Sequence, residues 1–191
     1  IYGPTAIGKT ALALSVAKLY PIEIISVDSA LVYRNMNIGS GKPTKKEQSI
    51  CPHHLIDIID PDDNYTVGQF FHDASKKISE IKQRNNIPVL VGGTGLYFES
   101  LIRGYSQLPT VNESTQTQTT KILKEKGLNY LYNELLTIDS RHSTLNKNDT
   151  QRIIRAYNVF CQTGEPIYNF WAEQKPSLFG KIICIKPNSR Q

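Results

Sequence analysis

Near the start of the chain, Gly3-Pro4-Thr5-Ala6-Ile7-Gly8-Lys9-Thr10 satisfy the pattern G-x-x-x-x-G-K-[ST]. A run of this kind points successive backbone N–H groups into one concavity, where a following helix N-terminus helps them cradle a diphosphate. Lys9 adds a point charge, and the Thr10 hydroxyl is the natural ligand for Mg²⁺ held on the phosphates. The loop leaves open whether those phosphates are hydrolysed, transferred or expelled. Two other residues bear on that. Asp28 directly follows the apolar run Ile22–Val27, and Thr94 lies among the glycines of Gly92-Gly93-Thr94-Gly95. A carboxylate at a strand end can accept a proton in a reaction or cap a turn, and both readings stand for Asp28. The glycines permit a tight turn, while Thr94 has a hydroxyl to offer a phosphate or an acceptor. An ATPase or GTPase would add a Walker-B acid and a residue that positions water. The strand in "PVLVGG" ends in glycines, and Asp28 belongs to the strand right after the loop, suited to the acceptor side of the site.

These residues must be positioned by an alternation of helices and strands. "TALALSVAKLY" is rich in Ala and Leu and predicts a helix rising from the loop, ended by Pro21. "IEIISV" is a β-branched apolar run, expected as a buried strand. A shorter strand is expected over residues 55–59 of "HHLIDIID". Thr66-Val67-Gly68-Gln69 has the form of a capping box, and Val67, Phe70, Phe71, Ala74, Ile78 and Ile81 follow at helical spacing. "NNIPVLVGG" turns into another buried strand over residues 89–91. Strands alternating with helices imply right-handed crossovers and a parallel sheet, and ligands of such sheets gather at the carboxyl ends of the strands. The expected architecture is α/β, a P-loop sandwich with a central parallel sheet and a small helical insertion domain.

The expected organisation is a first part of the core over residues 1–109, a helical insertion over 110–148, and a return to the core over 149–191. The insertion contains polar "VNESTQTQTTKILKEKG" and the amphipathic "LNYLYNELLTI". Asp149 opens a helix carrying Ile153, Ile154, Tyr157 and Phe160, stopped by Gly164 and Pro166, and "KIICI" is the last strand candidate. Only Ile1 and Tyr2 precede the loop, where a strand normally needs about 5 residues, so part of a longer protein is expected.

Composition narrows the classes. Hydrophobic residues make up 39% and charged residues 20%, ordinary for a globular protein, and no apolar run approaches the roughly 20 residues of a membrane helix. Cys51, Cys161 and Cys184 are scattered and odd in number, which fits neither a disulfide scaffold nor a metal site and makes a reducing cytoplasm the expectation. The net charge of +5 favours an anionic partner. His53 and His54 lie beside a strand with no third ligand at suitable spacing, so a structural role is expected for both.

The blocks "GPTAIGKT", "IISVDSALVYRNMNIGSGKP", "PHHLIDIIDP", "PVLVGGTGLYFESL" and "NDTQRIIRAYNVFCQTGEPI" occur in this order. Together, over residues 3–167, they resemble the tRNA dimethylallyltransferases, also called tRNA isopentenyltransferases. The resemblance implies transfer of a dimethylallyl group from dimethylallyl diphosphate to N6 of an adenosine beside the tRNA anticodon, with Mg²⁺ as cofactor. The loop would then hold a diphosphate that leaves. It implies Asp28 as the base that takes the N6 proton and Thr94 as the residue near the diphosphate and the acceptor nitrogen. It also implies RNA contacts through Asp28, Ser29, Ala30, Leu31 and Thr94, and through Gln151, Arg152, Ile153, Ile154 and Arg155. A cytoplasmic monomer acting on the anticodon stem-loop, with no membrane association, is the expectation.

The chain departs from the family in two places. Family members often carry Arg early in the insertion, yet none occurs between residues 104 and 140, where Lys121, Lys124 and Lys126 supply the charge. The family also continues beyond the final strand into a further basic helical segment. Three alternatives remain: an adenylate isopentenyltransferase using the same donor on a free nucleotide, a P-loop nucleotide kinase, and a non-enzymatic nucleotide-dependent RNA-binding module. The kinase would need an arginine-rich lid, whereas the insertion is Thr/Gln-rich. The binding module would have no use for Asp28 and Thr94 in one pocket. Arg34 and Arg103 carry no assigned role.

Overall fold

The computed structural model describes residues 1–171 and 180–186. The chain forms two compact units, residues 1–105 with the C-terminal residues from 175 onward, and residues 106–174.

The first unit runs α1 (Lys9–Ala17), β1 (Ile22–Val27), α2 (Lys45–Gln48), β2 (His53–His54), α3 (Val67–Gln83), β3 (Ile87–Gly92) and α4 (Gly95–Arg103). The sheet is parallel with strand order β2-β1-β3. Tyr2 bridges to Gly92 beyond β3, and Cys184 bridges in turn to Tyr2, so "KIICI" returns to the sheet edge as a single parallel bridge. All of β1 is buried, as expected for a strand covered on both faces. Its two-residue period divides the core. Ile25 and Val27 pack with Phe70, Ala74, Ile78 and Ile81 of α3 and with Tyr97, Phe98 and Leu101 of α4. Ile22 and Ile24 pack with Ala13 and Leu14 of α1. Each large side chain so buried stabilises the fold by about 1.5–3 kcal/mol. The result is an α/β sandwich, as the sequence predicts.

The capping box at Thr66 forms in full, with Thr66 Oγ1 accepting from Gln69 N–H and Gln69 Oε1 accepting from Thr66 N–H. The strand expected over residues 55–59 does not form there. Pairing with β1 is confined to His53 and His54, which lie opposite Ile24 and Ile25, and Ile59 makes only an isolated parallel bridge to Tyr33. Leu55 and Asp57 adopt left-handed backbones (φ 60° and 56°), which no strand accommodates.

The second unit contains α5 (Glu113–Lys126), α6 (Leu128–Ile138), α7 (Thr150–Thr163) and 3₁₀ turns at Ser140–Thr144 and Ile167–Phe170. Its core joins Val111, Leu131, Leu135, Ile153, Ala156, Val159 and Ile167. Here the boundary differs from the expected one, which returned residue 149 onward to the core of the first unit. The apolar face of α7 is covered by α6, so the helix belongs with residues 106–174. Asp149 caps α7 by accepting from Arg152 N–H, and Gly164 closes it in the left-handed conformation.

Candidate functional site

The phosphate loop takes the shape its glycines allow. Gly8 stands at φ 89° as the residue before α1, and Ala6 at φ 64° shares the left-handed region. The first-turn N–H groups of a helix have no partner within it, so those of α1 are available to an anion beside the positive end of the helix dipole. Lys9 Nζ donates to the Pro4 carbonyl at 2.6 Å, which holds the ammonium over the loop. Burial lowers the Lys9 pKa, and the Asp28 carboxylate pulls it back up. Asp28 thus lies within electrostatic reach of the loop cation. Thr10 lies in the first turn of α1, half-buried.

The carboxyl ends of β1 and β3 complete this side. Gly92 is required by close approach. A Cβ there would fall 1.9 Å from the Val27 carbonyl oxygen. None of Gly92, Gly93 and Gly95 has a positive φ, so crowding, and not the tight turn that the sequence permits, is what demands glycine at 92. The intimacy allows Thr94 N–H to reach Val27 O at 3.2 Å and Gly3 N–H to reach Gly92 O at 3.4 Å. Thr94 is the N-cap of α4, yet its hydroxyl makes no capping bond. It accepts instead from Ser29 N–H at 3.1 Å. A Thr that gives up a cap forgoes about 1 kcal/mol of helix stability, and here it gains a fixed place beside Asp28. Asp28 Oδ1 accepts from Ala30 N–H at 2.9 Å, so the carboxylate is held by its own turn. Among the described residues, Oδ2 has no hydrogen-bond partner. Capping and availability for chemistry therefore coexist in one side chain.

Tyr97 is a neighbour that the sequence reading missed. Burial raises its pKa, with Tyr33 and Asp28 adding to the rise, so the phenol lies in the field of the carboxylate. It stacks on Phe70 with centroids 4.2 Å apart. Its signal in the sequence is the spacing of three from Thr94, which puts both at the start of one helix.

The second group of expected site residues lies in the second unit. Arg152 is 77% exposed, with Nε 3.5 Å from Asp149 Oδ2, and Gln151 is exposed. Arg155 is half-buried and donates to the Pro109 carbonyl at 3.1 Å. Ile153 is 0% exposed within the helical core and Ile154 packs against it, so Ile153 has no side-chain surface to offer RNA. Of the blocks beside β1, Ser29 is exposed while Ala30 and Leu31 are half-buried. Arg34 is tied to Asp60 at 2.9 Å.

The histidines do structural work. His54 Nε2 lies 2.6 Å from Glu23 Oε2, and Arg84 and Asn86 also donate to this carboxylate. Hydrogen bonds from Arg84 above all hold the Glu23 pKa down at about 2 despite its burial. His53 Nδ1 pairs with the Cys51 carbonyl. Among the described residues, no group of three or more His, Cys, Asp or Glu side chains could hold a metal. Nor is any of their helices long and apolar enough to cross a membrane.

A phosphate loop on a parallel α/β sandwich, with a held carboxylate and a threonine hydroxyl at the strand ends, defines a P-loop protein. The family model described as IPP transferase matches residues 31–191, and the chain belongs to that family. It is 44% identical over 181 residues to the tRNA dimethylallyltransferase of Chromobacterium violaceum, covering 94% of this chain and 56% of that protein. The corresponding protein of Cupriavidus taiwanensis is 45% identical over 199 residues, covering all of this chain and 62% of its own length. The chain thus spans a little over half the length of the curated relatives it matches. Among solved structures, a eukaryotic dimethylallyltransferase acting on tRNA matches with a TM-score of 0.76 at 27% identity, over 93% of this chain and 44% of that one. The tRNA isopentenylpyrophosphate transferase of Bacillus halodurans matches with a TM-score of 0.55 at 38% identity, over 86% and 55%.

Proposed function

We propose that this protein transfers a dimethylallyl group from dimethylallyl diphosphate to N6 of an adenosine next to the anticodon of tRNA, releasing diphosphate. The observation that carries the reading is the junction of Asp28 and Thr94 beside the phosphate loop, through the Ser29 N–H to Thr94 Oγ1 bond and the electrostatic link between Asp28 and Lys9.

In this reading the loop N–H groups, the α1 N-terminus and Lys9 hold the diphosphate, where negative charge grows as the allylic C–O bond breaks. The electron pair of that bond stays on the diphosphate oxygen, and the N6 lone pair forms the new C–N bond. Adenine N6 is a weak nucleophile because its lone pair is conjugated into the ring. Its proton passes to Asp28 Oδ2, while Oδ1 stays fixed by Ala30 N–H. A base so placed contributes about 10²–10⁴ in rate. Thr94 Oγ1 accepts from Ser29 with one lone pair, which leaves its own proton to donate toward the diphosphate.

With no cluster of three or more His, Cys, Asp or Glu side chains among the described residues, the Thr10 hydroxyl would hold Mg²⁺ brought in on the diphosphate. When bound, the ion would neutralise charge on the leaving group. The target base must leave its stack to reach Asp28. Gln151, Arg152 and Arg155 then serve the RNA, in a cytoplasmic enzyme acting as a monomer.

The test supplies labelled dimethylallyl diphosphate and Mg²⁺ with unmodified tRNA and AMP as parallel acceptors. Label in tRNA alone supports the proposal. Label in AMP keeps the chemistry and overturns the acceptor. Label in neither, with ATP turnover, refutes the reading.

A further inference from the structure

We propose that Lys42 is a positioning residue for the acceptor side of the site, acting through Asp57 on the segment that carries Asp28. The proposal rests on the role given above to Asp28.

Lys42 belongs to "GSGKP", a stretch whose chemistry the transfer reaction leaves unused. Its side chain is only 5% exposed, although it borders an open cavity of about 520 Å³ lined with Arg34, Asn35, Thr44 and Lys45. An ammonium has three protons to donate, and all of these are engaged inside the protein. Nζ reaches Asp57 Oδ1 at 2.6 Å, the Tyr33 carbonyl at 2.9 Å and Asn37 Oδ1 at 3.1 Å. With its donors committed, Lys42 is a strut and not a cation offered to a ligand in that cavity.

The strut bears on one piece of backbone. Asp57 takes the charge of Lys42 on its side chain, while its N–H donates to the Leu31 carbonyl at 3.0 Å. Ile58 and Ile59 N–H both donate to the Val32 carbonyl, at 2.8 and 3.1 Å. Lys42 itself grips the next carbonyl, that of Tyr33. Consecutive carbonyls at 31, 32 and 33 are thereby anchored, immediately after the turn in which Asp28 holds Ala30 and Ser29 holds Thr94. Asp57 keeps a left-handed backbone (φ 56°), which Asp adopts more readily than most non-glycine residues, and its ion pair with Lys42 and its N–H bond to the Leu31 carbonyl tie it at both ends. A second tie, from Arg34 to Asp60 and the Ile58 carbonyl, is exposed and salt-screened, whereas the Lys42 ammonium is buried and its partner Asp57 is 37% exposed.

The test replaces Lys42 with a side chain of similar length and no charge, Lys42→Met, in the full chain. Single-turnover transfer to an anticodon stem-loop RNA is followed at saturating dimethylallyl diphosphate, with active sites counted by burst amplitude. A small misplacement of a reacting group costs up to about 10²-fold, so the rate per active site should fall by about 10- to 100-fold while donor affinity is unchanged. Hydrogen exchange at the amides of Asp57, Ile58 and Ser29 should accelerate. A loss of burst amplitude with an unchanged rate per site would mean a purely structural role and would overturn the proposal, as would a parallel loss of donor affinity. If Lys42→Met fails to fold, Asp57→Asn carries the test, since Asn tolerates the left-handed backbone and lacks only the charge; an unaltered rate there overturns the proposal. If the unaltered protein transfers to no acceptor, the functional reading fails on its own. The clasp is then judged by exchange alone, upheld by faster exchange in Lys42→Met and refuted by unchanged exchange.

Discussion

The two roles proposed for Asp28 can be separated by a pair of substitutions. Asp28→Asn keeps an oxygen that accepts from Ala30 N–H but has no basicity, whereas Asp28→Ala loses both functions. Loss of the base alone should cost about 10²–10⁴ in the transfer rate. Loss of the turn hydrogen bond adds about 1 kcal/mol of destabilisation, a drop of about 2–4 °C in melting temperature for a domain of about 150–250 residues. The two variants should therefore be nearly equal in activity and differ in stability. Donor binding should respond in the opposite direction to activity. Asp28 pulls on the Lys9 ammonium, so either substitution frees that charge for the diphosphate, and affinity for dimethylallyl diphosphate should hold or improve slightly. The assay is single-turnover transfer to a stem-loop RNA, with donor dissociation constants and melting curves on the same preparations. An Asn variant that retains a tenth or more of the wild-type rate would refute the assignment. So would donor affinity falling in step with activity, since that would make Asp28 part of diphosphate binding.

Glu23 offers a test by pH. Its carboxyl is held at about 2 against an ordinary 4.5, so its stabilising contribution is complete above about 4.5 and drains away as pH falls toward 2. The depression corresponds to about 3 kcal/mol, and Glu23→Gln should lower the urea midpoint at neutral pH and flatten its decline between those limits; parallel curves for the two proteins would count against it. Gly92→Ala drives a methyl group into the Val27 carbonyl and should destabilise by about 1–3 kcal/mol or more, read as a reduced urea midpoint, with an unchanged midpoint contradicting the close approach. Arg152→Ala removes an exposed side chain with a weak ion pair and should leave stability intact. If Arg152 meets a phosphate, the variant's log–log salt slope for RNA binding should fall by about 0.7, and an unaltered slope would remove it from the interface.

The phosphate loop, Asp28 and Thr94, together with the strand and helix alternation around them, are legible in the chain because each is a local pattern. A loop of fixed spacing, a β-branched run and a capping box act over a few residues, so their energetics are written in consecutive positions. The same locality explains the failures. Residues 55–59 look like a strand by composition, but Leu55 and Asp57 turn left-handed, and Asp57, Ile58 and Ile59 are tied to Leu31, Val32 and Lys42. The apolar face of α7 was visible in the sequence and its covering partner was not, since periodicity marks a face without naming what packs on it. Ile153 shows the cost of reading a motif as a block, for its side chain is spent on the helical core.

What the sequence by itself determined is the inventory: a G-x-x-x-x-G-K-T loop, a carboxylate and a hydroxyl, each at the end of a predicted element. Only the tertiary structure decided that the Thr94 hydroxyl turns from its own helix to an amide 65 residues away, that Lys42 is a buried strut, and that Glu23 anchors His54, Arg84 and Asn86. The physical reason is the same in each case. A buried polar group must find a partner wherever the fold brings one, and that choice depends on distances between segments, which no local spacing encodes.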